Sequence, residues 1–291
     1  PVEGVYTLED NRTYIITDVV DLTGDRIVCG KNTTIRGWSS ENCRLKSTGL
    51  GATALITSVY TLPMLNLTVE ADVALDLVAV DGNQALDWNG VNFTDCAAVG
   101  LISGFSNVIW VNCALLNSAN LTFDGTIGTV GFDGCIFVGL AGQSTLILPA
   151  TYTATRRFRI IYSAVVAFGG ATGIQVDPAA TIPVESFILD TVAFSGGATY
   201  VGGLTAEDNK SLWVNTTGTN NTASGVNALR YFEATFSWDQ RRWHGDIQVV
   251  EVVAPFAADL QNVPEAFSGD QASRHTASLN QRIGNERGAM D

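Results

Sequence analysis

The sequence is poor in the side chains from which most catalytic and metal centres are built. Only two histidines occur in 291 residues, His244 and His275, both near the C-terminal end. The five cysteines, Cys29, Cys43, Cys96, Cys113 and Cys135, include no CxxC pair. Zinc sites need such clustering, so no metal is expected. A Ser-His-Asp relay needs a histidine close to a serine, and none precedes His244. No glycine-rich phosphate loop leads into a helix and no dinucleotide fingerprint is present, so no cofactor is expected. The odd cysteine count argues against a complete disulfide framework. The five read as small buried apolar residues, with Cys29 and Cys43 the one pair worth testing as a bridge.

Charge is scarce too, at 15 % of residues, and its balance is acidic, with a formal net charge of −13. A field of that sign repels nucleic acid. No apolar run approaches the roughly 20 residues that span a bilayer, and stretches such as 146–148 and 247–253 are strand-sized, so a soluble protein is expected. The chain begins at Pro1 without a basic region leading into an apolar stretch. No signal peptide is read there, and the chain is expected to be processed, trimmed or internal to a longer product.

What is abundant is strand and turn chemistry. Tyr14-Ile15-Ile16, Arg26-Ile27-Val28 and Thr33-Thr34-Ile35 are short β-rich pieces separated by Gly, Asn and Asp. No segment before Pro255 combines a helical period with caps. Eight Asn-x-Ser/Thr sequons occur, at Asn11, Asn32, Asn66, Asn92, Asn120, Asn209, Asn215 and Asn220. They read as turn asparagines followed by strand threonines rather than as glycan acceptors.

A loose repeat runs through the middle. Val91-Asn92-Phe93-Thr94-Asp95-Cys96, Val108-Ile109-Trp110-Val111-Asn112-Cys113 and Val130-Gly131-Phe132-Asp133-Gly134-Cys135 each place an aromatic three residues before a Cys. The strand persists without the Cys at 158–162 and 187–190. A spacing near twenty residues implies a solenoid. One coil cannot bury its inward side chains alone, whereas stacked coils bury them against each other and pair their backbones. Continuous apolar runs such as Ile160-Ile161-Tyr162 favour parallel strands over an antiparallel sandwich. The expected fold is all-β, a right-handed parallel β-helix over 1–222, followed by a C-terminal β segment (223–260) and a polar tail or inter-subunit arm (261–291). The pattern places Cys96, Cys113 and Cys135 in successive coils, at or near the interior.

The opening reads Tyr6-Thr-Leu8-x-x-Asn11-x-Thr13-Tyr14-Ile15, then Asp25-Arg26-Ile27-Val28, then Asn32-Thr33-Thr34-Ile35-Arg36-Gly37. It resembles the first coils of pectate-lyase-like β-helices in bacteriophage fibres, spikes and related virion proteins, and Phe93-x-x-Cys96 and Phe132-x-x-Cys135 are similar to their later coils. The likeness covers roughly residues 6–200 and is architectural; pectinolytic enzymes share the scaffold. It implies a homotrimer in a virion, assembled in the host cytoplasm beside other virion proteins and attached to a host surface glycan.

Candidate site residues are few. Phe123-Asp124-Gly125 and Phe132-Asp133-Gly134 offer two carboxylates that, facing one groove, would make a hydrolase or lyase. Asp-Gly is also a turn dipeptide, and each aspartate is expected to serve its own turn. Asp81-Gly82-Asn83 reads as a turn as well. Arg156-Arg157-Phe158-Arg159 is the one basic cluster of the solenoid, suited to an acidic sugar through Arg156 or Arg159, or to a lyase carbanion; the plainer expectation is a solvated edge or a subunit contact. By strand alternation Arg157 is expected to face away from Arg156. Trp110 is expected in the core. Trp38 and Trp88, beside turn residues, are the candidates for exposed stacking on a sugar or a neighbouring subunit. The expected function is a structural virion component; the alternative is a carbohydrate-active enzyme on the same scaffold.

Overall fold

The computed structural model describes residues 2–183, 186–196 and 199–204, together with the strands Ser211–Val214, Ala228–Tyr231, Thr235–Ser237, Arg242–His244 and Val250–Val253. Among them no helix occurs. The chain winds into a parallel β-solenoid of about eight turns. Each coil supplies one strand to a nine-stranded sheet that begins at Val5–Thr7, and one or two to a fifteen-stranded sheet that begins at Thr13–Ile16. We call these the first and second sheets. Coil five shows the pattern plainly: Ala98–Ser103 lies in the first sheet, Asn107–Val111 and Ala114–Leu116 in the second.

The register explains why the sequence adopts this winding. Trp88 pairs with Trp110, Trp110 with Phe132, Phe132 with Ile160 and Ile160 with Leu189. This inward column begins with Tyr14, Ile35 and Met64. A second column stacks Leu86, Val108, Val130, Phe158 and Phe187. Rings meet at 4.7 Å between centroids for Trp88 and Trp110, and at 5.0 Å for Phe158 and Phe187. Backbone groups are used up coil to coil, so the interior needs only apolar side chains.

Corners are made by left-handed residues. Asn66, Gly90, Asn112, Gly134, Tyr162 and Thr191 all have positive φ where the second strand of a coil turns into the third. Asn and Gly enter that region readily; Tyr162 and Thr191 do so at a strain the stack imposes. Asp95 and Asn117 do the same at the next corner, and Asn117 Nδ2 donates to Asp95 Oδ1 at 2.6 Å. Of the sequon asparagines, Asn11, Asn32, Asn66 and Asn120 have positive φ; Asn209, Asn215 and Asn220 have side chains outside the described residues.

This geometry corrects the repeat alignment. Cys113 and Cys135 are equivalent, each following a corner residue in adjacent coils. Cys96 lies in the preceding coil and is fully buried, but it enters one corner later. Phe93 pairs with Leu115, and Cys96 N donates to Ser118 Oγ at 3.0 Å. The true counterpart of Trp110-x-x-Cys113 is Trp88-x-x-Val91. Both corners use the same local order of inward, outward, left-handed and inward residues, so the sequence motif occurs twice per coil. All five cysteines are buried free thiols, Cys29 and Cys43 included.

Backbone contacts divide the chain into Pro1–Val226 and Asn227–Asp291. In the second unit, Ala228–Tyr231 pairs antiparallel with Val250–Val253, and Thr235–Ser237 with Arg242–His244. The expected tail, 261–291, lies outside the described residues.

Candidate functional site

The two candidate carboxylates are not brought together. Asp124 ends a strand of the first sheet (Leu121–Asp124), and Asp133 ends the next strand of the second (Thr126–Asp133, 8 residues). That strand spans about 23 Å at the usual rise per residue, far beyond the separation an acid–base pair works across. Asp124 Oδ1 accepts from Gly125 N at 2.7 Å and from the hydroxyl of Thr151, while Gly125 and Gly134 both have positive φ. Each Asp-Gly thus makes its own corner.

Trp88 is not exposed. Its ring is 1 % accessible, and Nε1 donates to Leu62 O at 2.6 Å. The neighbouring Asn89-Gly90 is indeed a bend, but the residue two before the left-handed Gly90 points inward. Trp110 is fully buried, as expected. Trp38 is 66 % exposed, with the Arg36 guanidinium 5.6 Å from its ring centroid. That cation already occupies part of the ring face a sugar would use.

The arginine cluster departs from simple alternation. Ile127 pairs with Ala154 but Thr129 with Arg157, so Thr155 and Arg156 together oppose the single residue Gly128. This bulge turns Thr155, Arg156 and Arg157 outward in succession, before Phe158 returns to the core. Arg159 also faces outward, lying across Gly131, where a Cβ would meet its Nε at 3.2 Å. None of the three is in an ion pair among the described residues.

The bulge aims Arg156 into a cleft of about 610 Å³ at the corner between the sheets. Three successive corners wall it, with Asp81 and Asn83, then Asn107, then Thr126, and Arg156 comes from the following coil. Asp81 is held in place: Oδ1 accepts from Asn83 N at 3.0 Å and Gln84 Nε2 at 3.3 Å. Gly128 lets the coils close up here, since a Cβ would sit 2.1 Å from Ser106 O. The cleft presents one cation, one carboxylate and several amide and hydroxyl groups. That set can hydrogen-bond a polyol or sugar. A shallower groove of about 490 Å³ crosses the outer face of the first sheet, with Arg26, Asp76 and Thr122 among its walls. No group of three or more potential metal ligands occurs among the described residues.

Strongly perturbed titrations belong to the core. Burial pushes the Cys29 thiol up to about 12 and Cys96 up to about 11. Cys113 is raised by its hydrogen bond with Cys135 and by burial, while the same bond lowers Cys135. The cleft escaped sequence reading because its walls come from corners a whole coil apart. The visible signal was Asp81-Gly82-Asn83, which read as an isolated turn. No family model matches the chain, and no curated protein and no solved structure matches it.

Proposed function

We propose that the chain is a structural component of a bacteriophage particle, a fibre, spike or head decoration protein. In this reading it assembles as a homotrimer with other virion proteins and helps attach the particle to a host surface glycan. The observation that carries it is the unbroken run of inward columns, which makes each solenoid a stiff rod supported along its whole length. The separation of Asp124 from Asp133 supports it further. The resemblance of the first coils to virion β-helices supplies the particle. The corner cleft, with Arg156 and Asp81, is the place a host sugar would enter.

A second reading, a polysaccharide hydrolase or lyase, is favoured by that same cleft, which a fixed carboxylate and a guanidinium both line. Incubation with a panel of bacterial capsules and lipopolysaccharides separates the two. Glycan binding without new reducing ends or unsaturated products is the expected result, weakened by Arg156→Ala. Cleavage that disappears in Asp81→Asn, Asp124→Asn or Asp133→Asn would establish the enzyme instead.

A further inference from the structure

The outer side of the second sheet changes character along the solenoid. In the first three coils the third-strand row is charged. Arg44 Nη1 lies 2.9 Å and Lys46 Nζ 2.8 Å from the two carboxylate oxygens of Glu70, and Asp21 pairs in register with Lys46. From coil five onward the same row carries Ala114, Leu116, Ile136, Val138, Ala164 and Val166, stacked in register with no charge among them. Ile136 is 49 % exposed. An ordinary solvated face would continue the charged pattern, and parallel strands are normally covered on both sides.

Beside this apolar row, on the adjoining second-strand row, charges of both signs stand apart. Asp133, Arg157, Arg159 and Asp190 point outward, since Phe132, Phe158, Ile160 and Leu189 between them are buried. None is in an ion pair among the described residues. The signs alternate along the axis, with Asp133 one coil before the arginines and Asp190 one coil after.

We propose that this face, centred on Ile136 and Val138 and flanked by Asp133, Arg157, Arg159 and Asp190, is where copies of this chain pack side by side; the inference rests on the homotrimer reading and gives it a surface. A polyanion or polycation would meet like charges on such a face. A second copy meets its own alternating pattern, and an arginine side chain reaches across the coil spacing of about 4.8 Å to the opposite sign. An apolar centre with a charged margin is the usual anatomy of a protein interface. From Arg157 to Val166 nine steps of chain, bent at Tyr162, span at most about 30 Å, and four coils add about 19 Å. That gives at most about 570 Å² before side-chain relief, below the ~800 Å² per partner of a standard contact, so the relief of the long side chains has to supply the rest.

The test is the mass of the full chain by sedimentation velocity. Wild type is expected as a trimer; a monomer would overturn both this surface and the homotrimer. Ile136→Glu with Val138→Glu, both outward and so compatible with folding, is expected to weaken association at least 100-fold with an unchanged far-UV spectrum. Ile147→Glu, on the outer face of the first sheet, is expected to leave the trimer intact. A folded double variant that stays trimeric, or an Ile147→Glu variant that dissociates equally, would overturn the surface while leaving the trimer standing. Should the glutamate pair prevent folding, Arg157→Glu with Arg159→Glu decides. It should dissociate the trimer, and adding Asp133→Arg and Asp190→Arg should restore it. Trimers indifferent to the first exchange, or not restored by the second, count against this face as the contact between copies.

Discussion

Trp88 and Trp110 offer a sharp test of the stacked core, because they differ in one atom's surroundings. Their rings stack in adjacent coils at 4.7 Å and 28°, and both are buried. Trp88 Nε1 donates to Leu62 O at 2.6 Å, whereas Trp110 Nε1 is buried without a partner. Replacing either by Phe keeps an aromatic ring in the column and removes roughly 40 Å² of buried surface, about 1 kcal/mol. Trp88→Phe also loses a hydrogen bond and strands the Leu62 carbonyl, a further ~1–3 kcal/mol. Trp110→Phe instead removes a buried donor that has nothing to bond, and relief of that penalty offsets the lost area. Trp88→Phe should therefore be destabilised by about 2–4 kcal/mol and Trp110→Phe by less than about 1 kcal/mol. Urea titration followed by far-UV circular dichroism measures both, with the slope checked for constancy. The two rings lie in adjacent coils, and equal slopes in the two variants make their midpoints comparable. Equal costs, or a larger cost at Trp110, would refute the reasoning.

Two further outcomes follow from local geometry. Gly100 has φ +113° and a Cβ there would lie 2.0 Å from Leu75 O, while Gly51 has φ +61° with open space around it. Gly100→Ala should cost at least ~3 kcal/mol by urea titration and Gly51→Ala only the ~1–2 kcal/mol of the backbone region; similar costs would discount the tight coil contact. A thiol whose value stands near 12, as for Cys29, is about one part in ten thousand thiolate at pH 8. Burial also closes all five thiols to reagent, so native protein at pH 8 should stay unlabelled by a disulfide reagent over minutes, with all five reacting in urea; fast labelling of any one in the native state would contradict its burial.

The solenoid was legible because inward aromatics recur through the middle coils, at Trp88, Trp110 and Phe132, a coil's length apart. Which corner each motif occupied was not legible. Phe93-x-x-Cys96 and Trp110-x-x-Cys113 look alike because both corners share one local order, and only the pairing of Trp88 with Trp110 separates them. Trp88 looked exposed because Asn89 and Gly90 signal a bend, but a bend does not say which way the preceding ring points. Strand alternation put Arg157 opposite Arg156, and the extra residue facing Gly128 undid that inference. The cleft and the apolar row escaped for a common reason. Their members are neighbours across coils, and coil lengths vary enough that register cannot be counted from sequence alone.

The equal spacing of Trp88, Trp110 and Phe132, twenty-two residues at each step, makes the coils between them interchangeable parts. Duplicating or deleting one such block would leave every inward column and every corner in phase, changing the length of the rod and the spacing of the cleft walls that lie on either side. Evolution, or an engineer, can thus set the reach of this molecule in steps of about 4.8 Å without designing a new core.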